Sequence, residues 1–504
     1  MASEGVFSTA QRTPTKVAAI LGTTGAQLPY GELAERSADL ARRLRHRLDE
    51  GDRVAILLEN GLDYFVAAWA ARRSGLRYVP INWHLQPRET AYILRNSEAR
   101  AVISSPQVGD LAKDATAETA ADLQLSLGAP FGAFQALSAV PAAPAVIDRE
   151  GSAMFYSSGT TGAPKGIMRG LGRQAAGTVG PGEALMRDAY AMGPESVFLS
   201  PGPLYHAAPL AWTMGAQVLG GTSVIMPSFD AEAVLAAIER HRVTHALFVP
   251  THFVRMLKLP EAVRKRYDLS SLKAVIHAAA PCPPEVKRQM IDWLGPIIEE
   301  FYGTSEGGFV TVSTAQWLER PGTVGRSVGA PLRILDDERR DLPKGATGLI
   351  YFRLDMPFEY YNEPEKTRET LFEDMWCTAG DMGYLDQDDY LFLVDRKSNM
   401  IISGGVNIYP QEVENVLTMH PAVTDLAVIG VPNDEFGEEV KAVIAVAEGQ
   451  APTPALATEL IAYCRERLAH FKCPRSVDFV DAIPRLPSGK VRKHELLARY
   501  RTGN

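Results

Sequence analysis

Apolar residues in the first 280 positions alternate between the spacing of an amphipathic helix and the unbroken runs of a buried strand. Leu33, Leu40 and Leu44 recur at helical spacing, a strand-like run at 53–58 follows, and a helix is predicted at 63–74. Further strands are predicted at 223–226, 245–250 and 273–278, with a helix at 231–241. Continuous apolar strands between helices are typical of parallel sheets, so the pattern predicts an α/β fold.

The pattern changes beyond residue 394. Helices are predicted there at 410–420 and 455–468, and strands at 425–431, 440–446 and 477–480. The sequence therefore predicts a large N-terminal domain over 1–394 and a small α+β C-terminal domain over 395–504, joined at the charged segment 395–399. Residues 115–146, rich in Ala and Pro and poorly periodic, are interpreted as a peripheral excursion of the first domain.

Composition narrows the functional classes. A chain of 504 residues, 46% of them hydrophobic, is too long for one core, so several domains are expected. The net charge of −8 gives the chain no overall positive charge with which to attract nucleic acid, so nucleic-acid binding is not expected. No apolar run reaches the roughly 18–20 residues that span a bilayer and no signal peptide is recognised, so a cytoplasmic location is expected. The four cysteines are scattered, which predicts reduced thiols and no structural zinc.

A segment dense in Gly, Ser and Thr, SSGTTGAPKG at 157–166, follows a predicted strand end at 153–156. Its glycines let backbone N–H groups converge on an anion, while its hydroxyls add donors and its lysine a positive charge. The residues expected to bind polyphosphate are Ser157, Ser158, Gly159, Thr160, Thr161, Gly162 and Lys165. The spacing is not that of P-loop NTPases, because Pro164 stands five residues after Gly159. The alternative is a surface turn without function.

A second candidate segment, FYGTSEGG at 301–308, is predicted to leave a strand end, where ligands bind in open α/β sheets. Tyr302 has the shape to stack on a base, Thr304 has a hydroxyl for a phosphate, and Glu306 has a carboxylate for a divalent cation.

The same letters spell GxSxG from Gly303 to Gly307, the nucleophile elbow of α/β-hydrolases. An elbow requires a helix directly afterwards, but residues 309–314 alternate as a strand does. This disfavours a hydrolase. A dinucleotide fingerprint, GLGRQA at 170–175, is disfavoured because no convincing strand leads into it.

Several charged or polar side chains stand apart from these segments. Asp381 suits ribose hydroxyls, Arg396 suits ribose or phosphate, and Lys490 lies on a Pro/Gly turn from which a long cation can reach a cleft. His206 follows a strand-like run and is flanked by small residues. Taken singly, Asp381 and Arg396 are better explained as solvated charges or salt-bridge partners and Lys490 as a common exposed lysine, while His206 is equally explained as a core histidine.

Together, these motifs resemble the adenylate-forming superfamily, specifically the AMP-forming acyl-CoA synthetases, over nearly the whole chain and in the family's order. The resemblance implies a large N-terminal domain and a small mobile C-terminal domain. It also implies ATP, Mg²⁺ and coenzyme A, with a carboxylic acid converted first to acyl adenylate and then to acyl-CoA.

The resemblance also implies residue roles. The segment 157–165 would close on the β- and γ-phosphates, Thr304 and Glu306 would address the α-phosphate and Mg²⁺, and Lys490 would bridge carboxylate and α-phosphate. The nucleoside would contact Ala279, Ala280, Pro281, Tyr302, Gly303, Asp381 and Arg396. Gly404 and Gly405 would border the pantetheine tunnel, and Ser398 stands where the family usually has Asp or Lys at the hinge.

The substrate is predicted from the same comparison. Amino-acid-activating relatives place an aspartate where His206 falls, so an α-amino acid is not expected. Small residues at Ala207, Ala208 and Gly215 suggest volume for a bulky hydrophobic acid: alicyclic, steroid- or terpenoid-like, or fatty. Three alternatives stay open: delivery to a carrier protein, efficiency in one half-reaction only, and a non-catalytic nucleotide-binding regulator. A homodimer is a further expectation.

Overall fold

A computed structural model of the chain describes residues 5–117, 119, 121–145, 148–157, 164–172, 174–373, 375–485 and 491–501. These residues form two compact units. Unit 1 comprises Met1–Phe248, Glu261–Val275 and Met356–Glu369, and unit 2 comprises Val249–Pro260, Ile276–Asp355 and Thr370–Asn504. The boundary expected between residues 394 and 395 stays a prediction.

The helices, in chain order, are α1 (Val6–Arg12), α2 (Tyr30–Arg45), α3 (Leu62–Arg72), α4 (Pro87–Asn96), α5 (Gly109–Thr116), α6 (Pro181–Tyr190), α7 (Ala207–Val218), α8 (Ala231–His241), α9 (Pro250–Leu257), α10 (Glu261–Arg264), α11 (Pro284–Leu294), α12 (Thr314–Glu319), α13 (Pro364–Thr370), α14 (Pro410–Leu417), α15 (Pro454–Arg465) and α16 (Lys493–Arg501).

The strands are β1 (Val17–Leu21), β2 (Gln27–Pro29), β3 (Arg53–Leu57), β4 (Arg77–Pro80), β5 (Ala101–Ser104), β6 (Leu123–Ser126), β7 (Gln135–Ala136), β8 (Ser152–Ala153), β9 (Phe155–Ser157), β10 (Lys165–Arg169), β11 (Val197–Ser200), β12 (Thr222–Ile225), β13 (His245–Phe248), β14 (Ala274–His277), β15 (Ile298–Gly303), β16 (Phe309–Val312), β17 (Thr323–Ser327), β18 (Leu332–Leu335), β19 (Gly348–Arg353), β20 (Phe358–Tyr360), β21 (Leu371–Phe372), β22 (Trp376–Cys377), β23 (Asp381–Leu385), β24 (Leu391–Arg396), β25 (Ile401–Ser403), β26 (Val406–Ile408), β27 (Val423–Asn433), β28 (Gly437–Val446) and β29 (Ser476–Phe479).

Unit 1 contains a parallel sheet in the order β7-β6-β5-β3-β4-β8. Its central strand β3 is buried from Val54 to Leu57 because its two faces lie in two cores: Val54 and Ile56 pack with α2 and α3, and Ala55 and Leu57 pack with α4 and α5. The buried face of α2 includes Leu33, Leu40 and Leu44, the positions whose spacing predicts the helix. A second set of strands in this unit runs β2-β1-β12-β11-β13, with only β2 antiparallel. β20, β10 and β9 form a small antiparallel sheet.

Unit 2 contains an antiparallel set of strands in the order β15-β16-β17-β24-β23-β19-β22-β21, with β18 on β19. A separate five-stranded sheet runs β26-β25-β28-β27, and β29 pairs parallel with β28. Its core includes Val413 and Leu417 of α14 and Leu460 of α15. The chain is thus a mixed α/β protein, as expected.

Local capping explains why some predicted bounds agree with the structure. Helix α8 begins after Asp230, whose side chain accepts a hydrogen bond from Ala233 N at 2.8 Å, and ends at Arg242, whose φ is 51°. The predicted helix at 231–241 therefore has the observed bounds.

Two expectations are wrong in detail. Residues 115–146 are not wholly peripheral, because Leu123 and Leu125 of β6 are buried and this strand pairs with β5. The strand predicted at 153–156 is two strands, β8 and β9, which belong to different sheets. Within the described part of the chain, no helix is long and apolar enough to cross a membrane.

Candidate active site

Strands β9 and β10 bracket the glycine-rich segment in unit 1. They pair antiparallel, with Ser157 opposite Lys165. The predicted polyphosphate ligands Ser158, Gly159, Thr160, Thr161 and Gly162 lie outside the described residues. The structure therefore places the backbone at Ser157 and the whole of Lys165.

Lys165 lies beside an aromatic ring, and the residue after it is tightly packed. The Nζ atom of Lys165 is 5.5 Å from the centroid of the Tyr360 ring, within the range of a cation–π contact. A Cβ atom at Gly166 would clash with Cε of Met154 and lie 3.0 Å from Cζ of Tyr156. Packing against Met154 and Tyr156 therefore disfavours a larger residue at the last glycine of the motif, although its φ is not in the left-handed region.

His206, also in unit 1, is the half-buried N-cap residue of α7. The loop before it is held by Asn60, whose amide donates to the carbonyls of Gly202 (3.2 Å) and Met226 (3.1 Å). The Oδ1 atom of Asn60 accepts from Leu204 N at 2.8 Å. Asn60 was not predicted, because an Asn between a strand and a helix has the pattern of an ordinary turn residue.

The expectation that Gly215 leaves open volume is wrong. A Cβ atom at this position would lie 2.5 Å from Sδ of Met186, which α6 brings against α7. The space left by the glycine is thus filled by a neighbouring side chain. Ala207 and Ala208 are half-buried at the start of α7.

In unit 2 the structure brings together three residues that lie far apart in the sequence. The hydroxyl of Tyr302, on β15, donates to Oδ2 of Asp381 at 2.7 Å. Nε of Arg396 lies 3.1 Å from Oδ1 of the same carboxylate. Asp381 and Arg396 are opposite each other where β23 pairs with β24, so the sheet register fixes this contact.

This cluster is polar but largely shielded. The side chain of Asp381 is 14% exposed and that of Arg396 is 40% exposed. Burial, together with the adjacent Asp381 carboxylate, raises the pKa of Tyr302 well above its usual value. Tyr302 is therefore a neutral phenol at every working pH, and its aromatic face is the part suited to a flat ligand.

The turn after β15 uses the hydroxyl predicted to address phosphate. Oγ1 of Thr304 donates to the Gly307 carbonyl at 2.7 Å and accepts from Gly307 N at 3.2 Å. The Thr304 hydroxyl therefore closes the turn that carries Glu306. No helix follows the turn, since Phe309 begins β16, and this excludes the nucleophile-elbow geometry.

The segment expected to line adenine follows β14. Ala279 and Ala280 are exposed, and Ala279 has a φ of 75°. A left-handed alanine costs about 1–2 kcal/mol, so the surrounding chain imposes this conformation. Strained backbone of this kind is concentrated at functional sites, and the adenine-lining role of Ala279, Ala280 and Pro281 stays a prediction.

A buried ion pair that was not predicted lies directly behind these segments. Nζ of Lys287, on α11, is 2.7 Å from Oε2 of Glu300, on β15, and both side chains are at most 7% exposed. Nε2 of His277 is 3.3 Å from the same oxygen. Burial, with a further contribution from Lys287, lowers the pKa of His277 well below its usual value. Burial raises the pKa of Glu300, and Lys287 opposes the shift.

The predicted hinge contains a carboxylate that joins two elements. Oδ1 of Asp395 accepts from Arg396 N (2.7 Å) and from Asn399 Nδ2 (2.9 Å), and Oδ2 accepts from Gln411 N at 3.1 Å. Asp395 thereby caps α14 from the end of β24. Ser398 lies in the short 3₁₀ turn between them.

Gly404 and Gly405 join β25 to β26 with φ values of 58° and 78°. A Cβ atom at Gly404 would lie 3.1 Å from Cδ1 of Phe436. Both torsion and space therefore favour glycine there.

Lys490 lies outside the described residues. Among the residues that are described, no three His, Cys, Asp or Glu side chains are grouped to hold a metal ion. A single carboxylate such as Glu306 nevertheless suits Mg²⁺, which is commonly held by one or two carboxylates plus substrate phosphates.

Comparison with known proteins gives matches along most of the chain. The AMP-binding enzyme family matches residues 6–361, and the AMP-binding enzyme C-terminal domain matches residues 412–490. A feruloyl-CoA synthase from an Amycolatopsis species is 35% identical over 94% of this chain and 94% of its own length. The fatty acid–[acyl-carrier-protein] ligase ScoC from Streptomyces coeruleorubidus is 32% identical over 97% of this chain and 95% of its own. The crystal structure of ATP-bound MatB from Rhodopseudomonas palustris is 27% identical, with a TM-score of 0.82 over 99% of both chains.

Proposed function

The chain belongs to the AMP-binding enzymes of the adenylate-forming superfamily, the family of the acyl-CoA synthetases, and we propose that it activates a bulky hydrophobic carboxylic acid and transfers it to coenzyme A. A carboxylate oxygen attacks the α-phosphorus of ATP, and the bond to the bridging oxygen of pyrophosphate breaks. The thiol of coenzyme A then attacks the acyl carbon, AMP leaves with the former carboxylate oxygen, and one proton is released.

Each residue of the candidate site is proposed to make a different interaction with the substrates. Asp381 accepts from ribose hydroxyls, Arg396 neutralises the carboxylate and adjacent phosphate, and Tyr302 packs its ring on the base. Lys165 places a positive charge at the leaving pyrophosphate, and Lys490 does so between the reacting carboxylate and phosphorus. When bound, Mg²⁺ neutralises phosphate charge, and Glu306 is the residue that would hold it.

The single observation that carries this proposal is the contact of Tyr302 and Arg396 with one carboxylate, that of Asp381. Three residues expected to hold one nucleoside converge although they are separated by up to 94 positions, from Tyr302 to Arg396. An ion pair with a purely structural role does not require a tyrosine hydroxyl on the second oxygen of the carboxylate. A nucleoside site requires a flat surface beside a hydroxyl acceptor, and this cluster has both.

The proposed substrate class is supported by two relatives that are named for acids of different shape. Feruloyl-CoA synthase is named for an aromatic acid and ScoC for a fatty acid, and both names describe hydrophobic acids. The volume for a bulky acid is proposed to lie beside Ala207 and Ala208, because Met186 fills the space at Gly215. Methionine is the side chain that adapts most readily to a bulky neighbour, so Met186 is proposed to adjust this wall to the substrate.

A carrier protein is the second candidate acceptor, favoured by the similarity to ScoC. The first half-reaction is the same for both acceptors, so the nucleotide site does not distinguish them. An enzyme efficient in only one half-reaction is the remaining alternative. A cytoplasmic location is part of the proposal.

The test is an acid panel with product analysis. Purified protein is incubated with ATP, Mg²⁺, coenzyme A and one acid at a time: acetate, benzoate, ferulate, a long-chain fatty acid or a steroid acid. We expect AMP and an acyl-CoA with at least one bulky acid. A preference for acetate or benzoate would refute the substrate class, and AMP without acyl-CoA would favour a carrier protein.

A matched pair of variants links this activity to the site. Asp381→Asn removes the charge held by Tyr302 and Arg396, and a 10²-fold or larger loss of AMP formation is expected, of the order reported for single stabilising groups. Asp388→Asn is the control, because Asp388 is 57% exposed and pairs with Arg320 away from this cluster. Equal activities of the two variants would contradict the assignment.

A further inference from the structure

Two neighbouring strands of unit 2 lead to the residues proposed to contact the base of the nucleotide. β14 runs into the segment 279–281, and β15 carries Tyr302 near its end. The two strands are adjacent in the sheet. The segment 279–281 and the Tyr302 ring are called the two walls of the base site below. Their separation depends on how the two strand ends are held.

A buried ion pair joins these strand ends. Oε2 of Glu300, on β15, lies 2.7 Å from Nζ of Lys287, on α11. The same oxygen lies 3.3 Å from Nε2 of His277, the last residue of β14. Glu300 and Tyr302 share one face of β15, because side chains alternate along a strand. One carboxylate therefore links the helix and the two strands from which both walls extend.

The pair is enclosed by further helices. Nζ of Lys287 lies 5.2 Å from the centroid of the Trp317 ring, on α12, within the range of a cation–π contact. The ring of Phe253, on α9, meets the His277 ring edge-on, with 5.3 Å between the centroids. Lys287 and His277 are fully buried. The pair is thus built into the packed interior of unit 2.

The first wall lies directly beside the carboxylate. Pro281, Cys282 and Glu300 line one cavity of about 300 Å³. Ala279, two residues after His277, has a φ of 75°, a conformation that its surroundings must impose on an alanine. Glu300 is therefore close to both walls, since it shares a cavity with the first and a strand face with the second.

Stability alone does not account for such a pair. Taking two charges out of water costs about as much as their attraction returns, and neutral side chains of similar volume often serve equally well. A charge-assisted hydrogen bond is short and directional, so it fixes a distance more narrowly than apolar packing does. A site that identifies a base needs this precision, because binding groups must stand within about 0.5 Å of their best positions.

We propose that Lys287 and Glu300 are positioning residues for the adenine base, and that their bond sets the separation between the segment 279–281 and the Tyr302 ring. This inference rests on the proposed function, which assigns both walls to the nucleoside. Neither charged side chain touches the ligand. Both act through the strand ends that carry the walls.

The test compares AMP with GMP, which differ only in the base. Lys287→Met/Glu300→Gln removes both charges and keeps two side chains of similar length, so no charge stays buried. Lys441→Met/Asp478→Asn is the control, because it removes another lysine–carboxylate pair of unit 2, at 2.9 Å, between β28 and β29. Dissociation constants are measured by calorimetry on the full chain without acid or coenzyme A, and urea denaturation establishes that each variant is folded.

We expect wild type to bind AMP more tightly than GMP. The double variant Lys287→Met/Glu300→Gln should bind AMP about tenfold more weakly, as loss of one good hydrogen bond implies, and GMP within twofold of wild type. The control should leave both constants unchanged. Equal weakening of AMP and GMP would assign the pair a merely structural role. Unchanged AMP binding, or a wild type without preference for AMP, would overturn the proposal.

A second variant separates distance from charge and applies even if the double variant does not fold. Glu300→Asp keeps both charges but shortens one side chain by a methylene group, and it should weaken AMP binding about threefold with GMP unchanged. An unaltered AMP constant in this variant counts against the pair's role. If wild type binds AMP but forms AMP from ATP with no acid, the proposed function fails while the AMP-to-GMP comparison still decides the positioning role. If wild type binds neither nucleotide, the positioning role is overturned.

Discussion

Replacing Lys287 by methionine should destabilise the protein far more than replacing an ordinary surface lysine. The Lys287 ammonium is fully buried, and its partner Glu300 keeps only 7% of its side chain exposed. Methionine has a similar length but no charge, so the variant leaves a carboxylate in a place that water does not reach. Breaking a buried pair in this way costs about 3–5 kcal/mol.

Two further variants separate the ion pair from general packing. Lys287→Met/Glu300→Gln removes both charges, and its free energy of unfolding should return to within about 1–2 kcal/mol of wild type, because no charge stays buried. Lys441→Met breaks a pair with Asp478, whose side chain is 39% exposed, and should cost about 1 kcal/mol or less.

The direction in which the destabilisation by Lys287→Met changes with pH is an independent test of its electrostatic cause. Burial already raises the pKa of Glu300, and loss of Lys287 raises it further. A carboxyl group whose folded pKa exceeds its unfolded pKa binds more protons in the folded state, so the penalty is present at high pH. This penalty shrinks as the pH falls through the folded-state pKa toward the unfolded-state pKa, because the buried carboxylate becomes protonated. The cost of Lys287→Met should therefore be larger at pH 8 than at pH 5.5.

The assay is urea denaturation of all four proteins at these two pH values. The reasoning is refuted if Lys287→Met costs no more than Lys441→Met, if the double variant is as unstable as the single one, or if the destabilisation grows as the pH falls.

Three further changes test the site. Lys490→Ala should lower acid-dependent pyrophosphate exchange about 10²-fold or more, while changing thioester formation from supplied acyl adenylate only severalfold; equal losses would contradict its role in the first step. Gly404→Val places a valine in the left-handed region against Phe436, and it should slow thioester formation more than pyrophosphate exchange. Gly449→Val is the control: its φ is 79° and the space around it is open, so it should slow neither reaction. Thr304→Val should lower the free energy of unfolding by about 1 kcal/mol and slow pyrophosphate exchange, because the hydroxyl closes the turn at Gly307. Thr304→Ser keeps the hydroxyl and should retain wild-type stability and exchange, as melting temperatures and exchange rates would show.

Elements with strong periodicity and clear ends could be predicted from the sequence. The helix at 231–241 has an N-cap Asp and a left-handed C-cap, and strand β3 contains the continuous apolar run 54–57. Strand β6 was missed because it is only four residues long, Leu123 to Ser126, in a segment rich in Ala and Pro. The domain boundary at 394/395 and the homodimer stay predictions.

The candidate site was predictable only where several motifs act together. Asp381 and Arg396 taken alone resemble solvated charges, and only the order of the motifs suggested that they meet Tyr302. Lys287 resembles a residue on the solvent side of a helix, yet it falls between Val286 and Met290 on the buried face of α11. That position was an available signal for a buried lysine. Its partner Glu300 is revealed only by the fold.

The contact between Met186 and Gly215 shows a different limit. A glycine in a sequence reports that a side chain is absent, but it does not report which neighbour occupies the space. Here another helix supplies that neighbour, so pocket volume cannot be derived from one segment.

The fate of one carboxylate oxygen atom distinguishes attack at the α-phosphorus from attack at the γ-phosphorus. The best acid of the panel is labelled with ¹⁸O in its carboxylate and incubated with ATP, Mg²⁺ and coenzyme A, and the nucleotide product is analysed by mass spectrometry. Attack at the α-phosphorus predicts that AMP forms with one ¹⁸O atom in its phosphate. Formation of ADP, with ¹⁸O in inorganic phosphate, would show attack at the γ-phosphorus and contradict the account.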